Sequence, residues 1–188
     1  NKGPAAAEAR RQRGRLAKEA PHPAQGYVVN VQKPMFKGRR VRQALAMLWD
    51  FEWANRQMMR NMYIRQQSFF SNSPLAATQL PDAQELAILE PLRGQIPDEV
   101  FTQVFKAPTT DGTGMIRDKQ LQALAPLEHA GWQPAGDQLV HADGEPLELT
   151  FLNAQNGPER LLLPYNRHLA QVRLTPHTPS PDSSPDVT

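Results

Sequence analysis

Residues 39–53, RRVRQALAMLWDFEW, decide the fold. Their apolar side chains recur at the spacing i, i+3, i+4, i+7, which places them on one face of a helix. These side chains are Val41, Ala44, Leu45 and Leu48. Asp50 then interrupts the pattern and precedes Phe51-Glu52-Trp53, which is typical of a new helix start, because the aspartate carboxylate accepts hydrogen bonds from free N–H groups of the first turn. The stretch therefore predicts two successive helices, 39–49 and 51–62.

The residues before position 39 include two stretches of different composition. Residues 1–20 are basic and rich in alanine, and they lack the apolar stripe that would hold a helix against a core. We therefore predict a poorly ordered segment there. Tyr27-Val28-Val29-Asn30-Val31 is a short β-branched run that Pro34 ends, and such a run predicts a strand.

The middle of the chain alternates between loops and short helices. Residues 64–81 are polar and aromatic and end at a proline, so we expect mainly an ordered loop. Asp82 is placed to cap a helix that runs through Glu90, and a second short helix is expected near 98–105. Residues 106–117 contain two glycines and a proline, and we expect them to link elements within the domain.

The region after residue 117 predicts a helix, a hairpin and another helix. The helix over 118–130 should end at Gly131, because glycine readily adopts the left-handed conformation that follows a last helical turn. Asp143-Gly144 lies between two apolar runs and favours the turn of a β-hairpin over 139–151, because that turn needs positive φ. Apolar residues at helical spacing predict the final helix over 158–172.

Composition excludes several function classes. The 188 residues include no cysteine, which excludes disulfides and thiol chemistry, and no window approaches the ~20 apolar residues that span a bilayer. The net charge is only +2, but residues 1–65 hold fourteen basic against four acidic residues, and residues 66–188 hold seven against fifteen. This asymmetry is compatible with a nucleic-acid or membrane-surface footprint, and equally with two halves of one domain that face each other.

The sequence offers no constellation for catalysis or for metal binding. Its five histidines show neither H-x-x-x-H nor H-x-x-E spacing, and no cysteine is present to complete a zinc site. No G-x-S-x-G, P-loop or G-x-G-x-x-G motif occurs. We therefore expect no enzyme, no catalytic residue, no metal site and no cofactor.

The most informative candidate site is the stretch 63–72, which combines ring surfaces with amide, hydroxyl and guanidinium groups. Its candidate ligand-binding residues are Tyr63, Arg65, Gln67, Ser68, Phe69, Phe70 and Asn72. An ordered loop of this kind suits a site that holds a peptide by its backbone and tolerates varied side chains. For Phe69 and Phe70 the alternative is burial in the protein interior, and the sequence leaves both open.

The stretch 39–56 is similar to the "VRQAL…DFEW…N" block of the family five extracellular solute-binding proteins, and more narrowly to their oligopeptide and microcin-uptake branch. Six further blocks agree with the family in the same order, so the resemblance covers about residues 15–172. They are Gly26-Tyr27 through Asn30 and Pro34, Ser68-Phe69-Phe70-Ser71-Asn72-Ser73, Leu86-Ala87-Ile88-Leu89-Glu90-Pro91, Pro97-Asp98-Glu99-Val100-Phe101, Ala130-Gly131-Trp132 and Glu159-Arg160-Leu161.

The resemblance implies a fragment of a two-lobed α/β periplasmic-binding-protein fold that closes on an oligopeptide or peptide-like ligand. It implies the substrate-binding component of an ABC importer, which works in the periplasm, meets the membrane only through the permease subunits and binds no nucleic acid. No signal peptide is visible in this chain. The resemblance also implies that Asn30 lies near the lobe junction and that the 63–72 loop lines the cleft, which adds Asn30 to the candidate site.

The family pattern divides the chain into three predicted parts, which are the poorly ordered residues 1–20, a partial solute-binding lobe over 21–172, and a tail over 173–188. The tail is rich in proline, serine and aspartate, and this composition predicts disorder. Pro126 departs from the family because it falls inside a predicted helix, which it should break or kink. The alternative function is a basic nucleic-acid-binding or interaction protein that uses the arginine-rich N-terminal region, whose binding would weaken steeply with salt.

Overall fold

The computed structural model describes residues 25–152 and 159–178. The described residues divide into two units: a larger unit of Gln25–Gln66 with residues 106–152 and 159–178, and a smaller unit of Gln67–Phe105. The predicted poorly ordered segment 1–20 lies outside the described residues, as does most of the predicted tail.

Short helices and four very short strands make up the regular structure of the described ranges. The helices are α1 (Pro34–Lys37), α2 (Arg39–Met47), α3 (Phe51–Gln57), α4 (Ala83–Leu89), α5 (Glu99–Thr102), α6 (Arg117–His129) and α7 (Glu159–Gln171), with a 3₁₀ turn at Glu90–Leu92. The strands are β1 (Gln133–Ala135), β2 (Gln138–Val140), β3 (Glu148–Thr150) and β4 (Thr175–His177). The mixture of helices and strands agrees with the predicted α/β class.

The larger unit is built around the apolar face that the helical spacing predicts. Val41, Ala44 and Leu48 are buried on α2 and its C-terminal end, and α2 packs against α6. The cluster also contains side chains from α6, the strands and α7: Ala123, Leu127, Trp132, Leu139, Leu147, Leu149, Leu169, Val172 and Leu174. Each fully buried leucine contributes about 1.5–3 kcal/mol to folding, so this cluster is the main source of stability in the unit.

Local signals start and stop the helices as predicted. Asp50 caps α3 by accepting a hydrogen bond from Trp53 N at 2.9 Å, and Asp82 forms a capping box with Glu85 at the start of α4. Gly131 has φ of +90°, and its N–H and that of Trp132 donate to carbonyls of the last turn of α6. This pairing satisfies carbonyl groups that would otherwise lack a partner.

The second predicted helix is shorter than expected. We predicted that it runs through residue 62, but α3 ends at Gln57. Arg60 and Asn61 adopt φ of +54° and +55°, in the left-handed region that a right-handed helix cannot continue through. The chain therefore turns back, and residues 63–66 return along α3.

The predicted hairpin is confirmed at its turn and in the antiparallel bridge between Val140 and Pro146, but the strands that flank it pair with other strands. Gly144 has φ of +87°, and Leu147 N donates to Leu139 O across the turn at 2.8 Å. However, β2 pairs with β1 in antiparallel register, Pro134 opposite Leu139, and β3 pairs with β4 in parallel register. Both sheets have two strands within the described ranges.

Three further expectations need correction. The predicted strand at residues 27–31 is not formed, because no described strand runs beside it, and Val28 is 98% exposed. The predicted disordered tail begins too early, because Thr175–His177 pairs with β3 and Leu174 is buried. Pro126 does not break α6, because it lies in the last turn and its carbonyl still accepts the N–H of Ala130.

Candidate ligand-binding site

The eight predicted site residues are divided between the two units. Asn30, Tyr63 and Arg65 belong to the larger unit. Five belong to the smaller unit: Gln67, Ser68, Phe69, Phe70 and Asn72. Their convergence on one cleft stays a prediction, and each group is described separately.

Serine hydroxyls order the predicted loop in the smaller unit. Ser68 Oγ accepts hydrogen bonds from the backbone N–H of Phe70 at 3.3 Å and of Ala77 at 3.2 Å. Ser71 Oγ donates to Ser68 O at 2.7 Å, and Ser73 Oγ donates to Phe70 O at 2.7 Å. Because these bonds replace regular backbone pairing, the loop holds a defined path without a helix or strand.

Three of the predicted residues line one shallow concavity of about 260 Å³. Gln67 and Asn72 carry amides, and Ser68 is one of its three hydroxyl-bearing lining residues. Its remaining lining residues are Ser71, Ala76, Ala77, Thr78, Val104 and Phe105. A surface that mixes small apolar side chains with amide and hydroxyl groups can accept a peptide backbone and a modest side chain.

Phe69 and Phe70 do not line this concavity, and they are not buried either. Phe69 is 88% exposed and Phe70 is 55% exposed, so the alternative that they fill the interior is wrong for this structure. Large contiguous apolar patches on a protein surface mark contact surfaces, and exposed phenylalanine side chains can contribute to such a patch. They remain candidates for ligand contact.

Tyr63 and Arg65 are held against α3 in the larger unit. The side-chain amide of Asn55 donates to Tyr63 O at 2.8 Å and accepts from Tyr63 N at 3.2 Å. Two residues later, the guanidinium carbon of Arg65 lies 5.6 Å from the ring centroid of Phe51. Burial is the main cause that lowers the pKa of Arg65, while the charge of Glu52 opposes this shift.

Asn30 accepts hydrogen bonds from residues close to it in the sequence. Its side-chain oxygen accepts a hydrogen bond from Gln32 N at 3.0 Å, and its backbone carbonyl accepts one from Lys33 N at 3.2 Å. The residue is exposed and shapes the turn that leads into α1. Its role at a lobe junction stays a prediction.

Sequence reasoning missed a polar network between α3 and residues 106–117. Asp50 is 2% exposed, and its carboxylate accepts from Thr110 Oγ1 at 2.5 Å and from Gly114 N at 3.1 Å. Glu52 accepts from Thr110 N at 3.0 Å, and Arg56 donates to the carbonyl of Gly112. Hydrogen bonds therefore hold residues 106–117, which we expected to be a simple linker, against α3.

His168 also contacts the segment 106–117, through the carbonyl of Gly114. The side chain is 5% exposed, and Nδ1 lies 3.2 Å from Leu48 O while Nε2 lies 3.2 Å from Gly114 O. No sequence signal marks this residue, because both of its partners are backbone carbonyls far away in the chain. It connects α7, the end of α2 and the segment that carries Gly114.

The described ranges contain no group of three metal-ligating side chains. Within those ranges, no helix combines the length and the apolar character needed to cross a membrane.

The comparison with protein families gives one match that covers nearly the whole chain. Residues 3–175 match the model of the bacterial extracellular solute-binding proteins, family 5. This match agrees with the resemblance seen in the sequence. The family and its fold are those of binding proteins and not of enzymes.

Two relatives and one solved structure illustrate the similarity. The chain is 39% identical over 144 residues to "Uncharacterized protein YejA" of Escherichia coli, covering 76% of this chain and 24% of the relative. It is 34% identical over 161 residues to "Probable peptide-binding protein YejA" of Agrobacterium fabrum, covering 85% and 26%. The oligopeptide-binding protein AppA of Bacillus subtilis, solved with a nonapeptide, shares its fold with a TM-score of 0.53 and 19% identity, covering 80% and 24%. The chain thus spans about a quarter of the length of these proteins.

Proposed function

Because the chain belongs to family 5 of the bacterial extracellular solute-binding proteins, we propose that it forms part of the substrate-binding component of an ABC-type oligopeptide importer. In this function the protein captures peptides outside the cytoplasmic membrane, in the periplasm, and delivers them to the permease subunits. The observation that carries the proposal is the family match over residues 3–175. The name of the Agrobacterium relative favours a peptide as the ligand.

The mechanism is conformational and contains no chemical step. A ligand that contacts both lobes favours the closed state, because its contacts with the second lobe exist only after closure. The permease then recognises the closed form. This chain spans a quarter of the length of its relatives, so it supplies only some of those contacts.

Each unit, taken by itself, offers groups that suit contact with a peptide backbone. In the smaller unit, the concavity beside Gln67, Ser68 and Asn72 combines amide and hydroxyl groups with small apolar side chains. In the larger unit, Tyr63 and Arg65 are fixed by Asn55 and Phe51. We propose that Asn30, Phe69 and Phe70 also contact the ligand.

The test is equilibrium dialysis of the full chain against a mixed library of short oligopeptides and, in parallel, against a mixture of free amino acids. The proposal predicts that short peptides are retained over free amino acids, and that retention changes little between low and moderate salt. Absence of peptide retention would contradict it. Retention of an added oligonucleotide that weakens steeply with salt would instead support the nucleic-acid alternative.

A further inference from the structure

Residues 25–49 contain five basic side chains and no acidic one, and the proposed peptide site uses none of the five. They are Lys33, Lys37, Arg39, Arg40 and Arg42. Groups of like charge repel one another, and a basic cluster attracts partners that carry negative charge. This cluster is therefore a candidate contact surface for an anionic partner.

Arg42 has a structural role, whereas the charges around it are not compensated. Its Nη1 donates to three carbonyls at the end of α1, at 2.5, 3.1 and 3.3 Å. In the part of the chain that the structure describes, no ion pair includes Lys33, Lys37 or Arg40. Arg40 also lies in the first turn of α2, where the positive end of the helix dipole disfavours a cation. An external anion would compensate both effects.

The structure determines where these cations lie. Lys33 and Lys37 stand at the two ends of α1, about 6 Å apart along the helix axis. Met35 and Phe36 of the same helix pack against the apolar core, while both lysines are exposed. The exposed cations are thus carried by α1 and the first turn of α2, which the hydrogen bonds of Arg42 hold together.

Two exposed valines precede these cations in the chain. Val28 is 98% exposed and Val31 is 53% exposed. Their segment is held at one end by Tyr27, whose ring centroid lies 5.3 Å from that of Phe151. At the other end, Lys33 N donates to the carbonyl three residues earlier at 3.2 Å and closes a turn that contains Val31. The segment therefore presents apolar side chains next to lysines in the sequence.

We propose that Val28 and Val31, together with Lys33, Lys37 and Arg40, bind the surface of a membrane that contains anionic phospholipids. The cations pair with lipid phosphate groups, and the valines enter the boundary between the headgroups and the acyl chains. Such binding strengthens with electrostatic attraction and with the apolar area that is buried, and it requires no pocket of fixed shape. This direct contact is additional to the contact through the permease subunits that the family resemblance implies.

A nucleic acid also presents phosphate groups, but the valines favour lipid. Contacts with nucleic-acid phosphates use cationic and polar side chains, so exposed aliphatic side chains gain nothing from them. At a lipid surface, by contrast, removal of a valine side chain from water is favourable. The two partners therefore differ in how much their binding depends on Val28 and Val31.

The first test is co-sedimentation of the full chain with lipid vesicles. One set of vesicles is pure phosphatidylcholine, and the other contains equal parts of phosphatidylcholine and phosphatidylglycerol. The chain should bind the phosphatidylglycerol vesicles at least about tenfold more tightly, and high salt should reduce this preference by screening. Equal binding to the two sets of vesicles overturns the proposal.

A triple variant tests whether the cations of α1 and α2 are responsible. Lys33→Gln/Lys37→Gln/Arg40→Gln should bind phosphatidylglycerol vesicles about tenfold to a hundredfold more weakly, because each basic group near an anionic surface contributes about fivefold. The control has the same change in net charge at exposed arginines of α6 and α7 and should bind like the wild type. It carries Arg117→Gln, Arg160→Gln and Arg167→Gln. Equal losses in both variants would show an effect of net charge alone and overturn the assignment.

A second control addresses residues 10–18, which carry five further basic side chains. Arg10→Gln/Arg11→Gln/Arg13→Gln should retain more vesicle binding than the triple variant of α1 and α2. The reverse order would assign the membrane contact to the N-terminal segment and overturn the proposal.

The valines distinguish lipid from nucleic acid. Val28→Ser/Val31→Ser should bind phosphatidylglycerol vesicles about tenfold more weakly, because less apolar area is buried, and its binding to an oligothymidine should not change. The matched control is Leu121→Ser/Leu163→Ser, at exposed leucines of α6 and α7, which should bind the vesicles like the wild type. A valine variant that loses no more vesicle binding than the leucine control overturns the assignment to a lipid surface.

Discussion

The carboxylate of Asp50 accepts a hydrogen bond from the backbone N–H of Gly114, 64 residues later in the chain, at 3.1 Å. The same carboxylate caps α3 through Trp53 N, and the indole of Trp53 packs so closely on Gly114 that an added Cβ would meet its Nε1 at 2.9 Å. Asp50, Trp53 and Gly114 thus contact one another. Asp50, Glu52 and Trp53, at the start of α3, hold residues 106–117 against this helix.

Asp50→Ala should destabilise the larger unit by about 2–4 kcal/mol. The change removes a helix cap and the acceptor of the part-buried N–H of Gly114, while the hydroxyl of Thr110 keeps Glu52 as an acceptor. Urea unfolding followed by tryptophan fluorescence would measure the loss. Asp137→Ala, at an exposed aspartate between β1 and β2, is the control and should change the free energy of unfolding by less than about 0.5 kcal/mol. Equal effects of the two changes would contradict the network.

Gly114→Ala should also destabilise the protein, by about 1–3 kcal/mol. Gly114 has φ of +83°, which costs energy for any residue with a Cβ, and that Cβ would collide with the indole of Trp53. Gly26→Ala is a matched control, because Gly26 has open space around its Cβ position and no positive φ. Thermal unfolding should separate the two variants, and a Gly114→Ala protein as stable as Gly26→Ala would refute the close packing.

Pro126→Leu should raise the melting temperature. Proline at this position lacks the N–H that would bond to the carbonyl of Gln122, and a proline inside a helix costs up to about 3 kcal/mol. Its location in the last turn of α6 explains why the helix continues despite the proline. Pro34→Leu is the control, since Pro34 occupies the first turn of α1, where proline is favourable. A lower or unchanged melting temperature in Pro126→Leu would show that Pro126 does not destabilise the protein.

Tyr165 should make the protein sensitive to alkaline pH. Burial raises the pKa of Tyr165, and the charge of Arg65 opposes this shift. In the unfolded chain the phenol ionises near pH 10. The folded state therefore retains its proton where the unfolded state loses it, and the free energy of unfolding should fall as the pH rises above about 10. Urea midpoints measured from about pH 9 to pH 11 should show a shallower decline in Tyr165→Phe, and an identical decline in both proteins would contradict this role.

Local signals in the sequence predict the helices, and distant contacts determine what could not be predicted. Asp50, Asp82 and Gly131 act on neighbours within a few residues, so their roles are visible in the sequence. The pairing of β3 with β4 joins segments 27 residues apart, as Glu148 opposite Thr175 shows. The strand β4 could not be predicted, because its local sequence is rich in proline and its partner strand lies far away in the sequence.

The candidate site shows the same limit. The side-chain types in residues 63–72 predict a contact surface, and Phe69 and Phe70 are exposed; their contact with a ligand stays a prediction. The contact of Arg65 with the ring of Phe51 could not be predicted, because it depends on the early end of α3 at Gln57 and on the left-handed turn that follows. Only the folded chain brings these two residues together.

We propose that the 63–72 loop binds peptide. One pair of asparagine variants tests this proposal most directly. Asn72 and Asn61 both have positive φ, at +60° and +55°. Asn72→Gly and Asn61→Gly therefore remove an amide side chain without straining the backbone. In amide NMR titrations with tetraalanine, the wild type and Asn61→Gly should show saturable shifts centred on residues 63–72, and Asn72→Gly should bind several-fold more weakly, as expected for a lost hydrogen bond. Absence of saturable shifts in the wild type, or equal affinity in the two variants, would contradict the account.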